Sequence, residues 1–118
     1  MRHQNHNRKF GRKSNVRKAF MRSLARALVM EGRITTTEAR AKELRPFIEK
    51  MITKARSGDA LTNIRNLASD MGGQLDVVTK ITRDIAPKYT NRNGGYTRIM
   101  KIPVRASDAA SMAIIEFV

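Results

Sequence analysis

The chain has 118 residues, 24 of them Lys or Arg against 10 Asp or Glu, for a net charge of +14 and no cysteine. That length suits one domain with a modest core. The charge makes a polyanion the first partner to consider, and the missing thiols exclude disulfides, thiolate metal sites and Cys nucleophiles.

The first thirty-three residues carry ten basic groups and one acid, Glu31, so they hold +9 of the +14. Up to about Ser14 they are polar and charged, with Phe10 the one large apolar group after the initiator Met. Such a segment buries too little apolar surface to offset the entropy of ordering, which predicts an extended basic arm over 1–14 with few contacts to its own domain. From Asn15 the text is periodic. Val16, Phe20, Leu24 and Leu28 recur every four residues, with Ala27 beside them, and read as the core face of a helix. Lys18, Arg22 and Arg26 recur out of phase with that stripe, which puts a row of free cations on the opposite face. The stretch also has the Arg-rich, acid-poor look of a transit peptide, but its apolar stripe reads better as part of a mature domain. No apolar run approaches the roughly 20 residues of a membrane span, and Arg22 and Arg26 interrupt any secretory signal.

Gly32 is placed to cap this helix. Ile34–Thr36 reads as a brief strand, and Thr35 with Glu38 fits a capping box that starts a helix at Thr36. Ala41, Leu44, Ile48, Met51 and Ile52 carry that helix to about Arg56, ended by Ser57-Gly58-Asp59, with a kink or a break and restart at Pro46. Leu61, Ile64, Leu67, Ala68 and Met71 mark a third helix, stopped by Gly72-Gly73. Leu75, Val78, Ile81 and Ile85 mark a fourth, stopped before Pro87. Lys88–Gly95 reads as a loop. Tyr96–Arg105 reads as a strand, with Pro103 at an edge or a strand end, and Ala113–Val118 as another after a turn at Ala106–Asp108. The fold class is α/β (α+β): about four helices on a two- to three-stranded sheet, a single domain over 15–118 behind the arm.

Two groups of residues carry binding chemistry. The arm and first helix offer His3, Arg8, Lys9, Arg12, Lys13, Arg17, Lys18, Arg22 and Arg26, preceded by Arg2, with no acid before Glu31. Solvated helix faces usually mix signs, so this one points to nucleic acid, and a flexible arm suits irregularly folded RNA. The second group is Lys88, Tyr89, Arg92, Gly94, Gly95, Tyr96 and Arg98, where glycines admit a phosphate and the two rings are candidates to stack on bases. His3 and His6 have metal-site spacing but no carboxylate or thiol nearby, so no metal is expected. The carboxylates are scattered, Glu49 reads as a surface partner of Lys50 and Lys54, and no nucleophile motif or P-loop occurs. No enzyme activity, cofactor or small-molecule substrate is expected.

Four ordered stretches resemble a known family: MRHxxxxRKxGR at Met1–Arg12, ITTTEARAKELRPxxEKxIT at Ile34–Thr53, IAPKYTxRxGGYTRI at Ile85–Ile99 and DAAxMAIIEFV at Asp108–Val118. Together they resemble the bacterial ribosomal protein L-seventeen family, with Phe10 where a Leu is expected. The resemblance implies a structural protein of the large ribosomal subunit, bound to its ribosomal RNA in the cytoplasm, near the peptide exit region and beside other ribosomal proteins. It carries the arm and loop residues into the RNA surface. The rival reading is a nucleoid-type DNA-binding protein, although no helix-turn-helix or zipper spacing is present.

Overall fold

A computed structural model describes residues 3–4, 8–56 and 60–118. The element order is α1 (Ser14–Glu31), β1 (Arg33–Thr37), α2 (Glu38–Arg56), α3 (Ala60–Asp70), α4 (Leu75–Lys80), β2 (Thr97–Ile102) and β3 (Met112–Phe117). The three strands form one antiparallel sheet in the order β1-β3-β2. This is the expected α+β layout of four helices on a small sheet. Met1, Arg2, His6 and the predicted stop at Ser57–Asp59 lie outside the described residues.

α1 ends at Gly32, whose left-handed backbone (φ 81°) lets its N–H reach Leu28 O at 2.8 Å. The chain then enters β1 directly. The helix start that follows corrects the expected capping box. Thr35 and Thr36 belong to β1, and the hydroxyl of Thr37 accepts from Arg40 N at 3.3 Å, so Thr37 takes the cap position. Pairing with β3 carries the strand through Thr37, opposite Met112, so α2 starts only at Glu38 and Thr37 is the residue next to it.

α2 runs unbroken through Pro46, so the chain makes no break and restart there. Pro46 is on the exposed side, where water can satisfy the carbonyl that its missing N–H leaves unpaired. The opposite stripe of Ala41, Leu44, Ile48, Met51 and Ile52 is buried and forms the middle of the core. α4 itself ends at Lys80, before Pro87 as expected, but the chain stays helical beyond it. Its ladder widens to a π-helical turn over Ile81–Ile85 and tightens to a 3-10 turn over Ala86–Tyr89, with Pro87 near the start where its missing N–H costs nothing.

α2 packs on the sheet face that carries Thr36, Thr97, Ala113 and Ile115. Glu49 fixes this contact, accepting from Thr97 N at 3.2 Å and Thr97 Oγ1 at 2.9 Å. It is therefore a bracket between α2 and β2, which corrects its reading as a partner of Lys50 and Lys54. β2 is an edge strand and ends at Ile102, just before Pro103, as a residue without an N–H requires. The other sheet face carries Met100, Ile102, Met112 and Ile114, with Glu116 between Arg33 and Arg98.

The segment joining β2 to β3 is held by a two-pronged pair, Arg105 Nε to Asp108 Oδ1 at 2.9 Å and Nη2 to Oδ2 at 2.8 Å. The donated bonds, first from Arg105 and then from the Ala110 N–H, hold the Asp108 carboxyl down at about 2.

Candidate nucleic-acid interface

α1 meets the core through Ala25, Leu28 and Val29, with Met21 and Leu24 beside them. This stripe is rotated from the expected one. Leu24 and Leu28 belong to both, but Val16 is 49% exposed and Phe20 is only half-buried. Val16 and Phe20 lie N-terminal to the α1 residues that enter the core.

Phe20 instead receives the arm. Phe10 and Gly11 take left-handed backbone (φ 54° and 63°), Arg12 N bonds Lys9 O at 3.1 Å, and the chain turns back on α1. Phe10 meets Phe20 edge-on at 5.4 Å between centroids, and the guanidinium carbons of Arg12 and Arg40 stand 4.0 and 5.0 Å from the Phe20 centroid. Arg8 pairs with Glu43 on α2 at 2.7 Å. Residues 8–13 thus rest on the domain, which corrects the expectation of few contacts. The composition argument weighed apolar payload and overlooked guanidinium–ring and ion-pair contacts.

The row of α1 cations divides. Lys18 is exposed and, among the described residues, makes no ion pair or side-chain hydrogen bond. Arg22 donates from Nε to Asp70 O at 2.9 Å and from Nη2 to Ser69 O at 3.4 Å, closing the end of α3. It lies so close to Gly72 that a Cβ there would stand 3.0 Å from Nη1, which a left-handed glycine (φ 64°) avoids. Arg26 forks onto Asp76 at 2.9 and 2.6 Å. That donated bond pushes the Asp76 carboxyl below its ordinary value and the Arg26 guanidinium above its own. Arg22 and Arg26 are therefore fixed to the α3–α4 corner, and the face expected to be free is partly covered.

The second group is also split by the fold. Tyr89 and Tyr96 are buried, 4% and 0% exposed, with centroids 5.1 Å apart. This corrects their reading as stacking platforms. The Tyr89 hydroxyl donates to Val118 O at 2.8 Å, and burial raises its pKa against a smaller opposing effect of Arg92. Lys88, Arg92 and Gly95 are exposed, and a Cβ at Gly94 or Gly95 would meet nothing within 4 Å, so that backbone is open to an approaching group. Arg98 pairs with Glu116 at 2.9 Å on the sheet face away from α2, apart from Arg92.

Two residue sets escaped sequence reasoning. Arg56 at the end of α2 clamps the loop, donating to Thr90 O at 3.1 Å, Asn93 Oδ1 at 3.3 Å and the Tyr96 hydroxyl at 3.4 Å. Pro46, Lys50 and Lys54, four residues apart, form a ridge on α2 shared by two grooves. One groove runs towards Gly94 and Tyr96, the other towards Arg8, Lys9, Arg17, Lys18 and Arg22. Their four-residue spacing, opposite the Leu44–Ile48–Ile52 stripe, was the available signal. Lys54 bonds Asp70 at 2.7 Å, whereas Lys50 makes no ion pair or side-chain hydrogen bond among the described residues. His3 is exposed and makes neither among them.

A family model described as ribosomal protein L17 matches residues 20–118. The chain belongs to that family. It is 49% identical to the large ribosomal subunit protein bL17 of Shouchella clausii over 116 residues, covering 93% of this chain and 97% of the relative. It is 48% identical to the protein of the same name from Nautilia profundicola over 121 residues, covering 100% of this chain and 98% of that one. An Exiguobacterium relative of that name is 48% identical over 114 residues, at 93% and 97% coverage. The L17 match thus takes in Arg22 and Arg26 of α1 and the whole loop group, and begins after Arg17 and Lys18.

Proposed function

We propose that the chain is a structural constituent of the large ribosomal subunit, held there by ribosomal RNA. The arm over 1–14 and the domain over 15–118 act together: the arm residues from Arg8 to Lys13, the α1 residues Arg17 and Lys18, and the loop residues Lys88 and Arg92 with the open Gly94-Gly95 backbone meet RNA phosphates. Arg22, Arg26 and Arg98 lend charge from positions fixed by their carboxylate or carbonyl partners. Tyr89 and Tyr96 hold the loop in shape from below. The mechanism is charge neutralisation and shape fitting, with no catalysis. The family reading adds a cytoplasmic ribosome and protein neighbours near the peptide exit region.

The observation that carries this reading is the set Lys9, Lys13, Lys18 and Lys50. Among the described residues all four lack an ion pair or side-chain hydrogen bond, while Glu43 and Asp70 nearby are already paired. Charge left uncompensated beside spent carboxylates is charge available to a polyanion.

The test is sedimentation of a tagged chain from cell extract, followed by affinity for a large-subunit ribosomal RNA fragment across salt. Migration with large subunits after a high-salt wash is expected, as is an affinity that falls steeply with salt because neutralised phosphates release counterions. Arg92→Ala should flatten that dependence by up to about one unit of slope. Migration with chromosomal DNA instead would favour a nucleoid protein.

A further inference from the structure

The groove between the arm, α1 and α2 has a layout that phosphate neutralisation alone does not call for. It encloses about 880 Å³, within the roughly 300–1,000 Å³ range of small-molecule clefts. Its lining is segregated. Met21, Pro46 and Phe47 give it an apolar wall, and Phe10 closes it from the arm side. The cations divide by partner. Arg8 is tied to Glu43, Arg22 to the Asp70 carbonyl and Lys54 to the Asp70 carboxylate, so these three hold the walls in place. Lys18 and Lys50 are exposed, on α1 and α2, and make no ion pair or side-chain hydrogen bond among the described residues.

A ligand that fits this pattern has a flat apolar part for the interior and anions for the rim. A plain polyanion gains nothing from Met21 or Phe47. A duplex keeps its bases stacked and presents its backbone and base edges, so it cannot place a ring inside. An unstacked nucleotide of a single strand, loop or bulge has both parts.

We propose that this cleft receives an unstacked nucleotide of single-stranded RNA, its base against Met21, Pro46 and Phe47 and its flanking phosphates at Lys18 and Lys50. The assignment rests on the RNA reading above and makes it specific. It gives Lys50 and Phe47, outside both basic groups, a part in recognition.

The experiment uses the full chain and a single RNA strand of about eight nucleotides carrying one 5-iodouridine, with the same sequence closed in a duplex for comparison. Irradiation is expected to join the iodouridine to the peptide containing Met21 or the one containing Phe47. Lys18→Glu with Lys50→Glu should weaken single-strand binding about tenfold or more and lower the salt slope by about 1.4, since each single-strand phosphate contact contributes about 0.7. The melting temperature should hold, because both side chains are exposed and make no ion pair or side-chain hydrogen bond among the described residues. Phe47→Leu, which keeps the site apolar, should weaken the strand and leave the duplex unchanged.

Three results would overturn the cleft while leaving the broader reading in place: an adduct confined to Lys88–Arg98, strand affinity within about twofold after the double charge reversal, or a duplex that binds as tightly as the strand with the same dependence on Lys18 and Lys50. Displacement of the strand by an equally charged polyglutamate would also overturn it, by showing a surface that reads charge alone. Failure of the wild-type chain to bind any ribosomal RNA fragment would bring down the broader reading as well.

Discussion

Each basic group contains a pair of aromatic rings, and the two pairs serve opposite purposes. Phe10 and Phe20 lie 5.4 Å apart, Tyr89 and Tyr96 5.1 Å apart. The phenylalanines are half-buried outside the main core, with the Arg12 and Arg40 guanidinium groups within 4.0 and 5.0 Å of the Phe20 ring. The tyrosines are inside it, their hydroxyls bonded to Val118 O and to the Thr53 and Arg56 side chains. One pair organises cations at the surface. The other roots a cationic loop in the core. An aromatic residue among Lys and Arg is therefore not by itself a base-stacking platform. Which role it takes depends on whether the neighbouring elements leave it a wet side.

The largest effect should separate these pairs directly. Tyr96→Ala removes a fully buried ring and should cost about 3–5 kcal/mol. Phe20→Ala loses a half-buried ring with its guanidinium contacts and should cost about 1 kcal/mol. Urea unfolding of both variants measures the difference. Equal losses would mean that the arm-side pair is as much part of the core as the tyrosines.

A smaller effect concerns the cations of α1. Arg22→Ala removes the donor to the Asp70 carbonyl at the end of α3, while Ser69 O keeps the Gly72 N–H, and should lower stability by about 1 kcal/mol. Lys18→Ala should stay within about 0.5 kcal/mol. For RNA the order reverses, with the larger loss of affinity at Lys18. Should Arg22→Ala be silent in melting and Lys18→Ala silent in binding, the division of that helix face is wrong.

The expected elements appeared in order because their signals are local. A four-residue apolar period, a glycine after Glu31 and an alternation before Pro103 each act within a few residues. What could not be read depends on parts distant in the chain. The stripe of α1 is set by where α2 and α4 cover it. The end of α3 that Arg22 holds lies forty-eight residues further along the chain. Thr35 lost the cap position to Thr37 because pairing with β3, some eighty residues on, extends the strand through Thr37 and starts α2 only at Glu38. For the site, charge was legible and its expenditure was not. Arg26 and Asp76 are fifty residues apart, and nothing near either one announces the pair.

The smallest effect distinguishes the two groups by pH. In the arm-side group, the Arg26 bond holds the Asp76 carboxyl below its ordinary 3.8. A lowered folded value means that this contribution to stability is present above about pH 4 and is lost as pH falls through the folded value. Both side chains are well exposed, so the effect should be slight. In the loop group, burial holds the Tyr89 phenol above its ordinary 10.0. The sign is opposite: the contribution is complete below about pH 10 and is lost as pH rises through the folded value, because a phenolate cannot donate to Val118 O. Melting temperatures of the chain, Asp76→Asn and Tyr89→Phe across the pH range measure both. The gap between the chain and Asp76→Asn should close on the acid side while Tyr89→Phe follows the chain there. On the alkaline side Tyr89→Phe should resist the decline that the chain shows. A gap at Asp76 that persists at pH about 2 would mean that the Arg26 pair does not couple α1 to α4. An alkaline decline shared by Tyr89→Phe would place its cause elsewhere and leave the loop's anchorage to Arg56 and Tyr96.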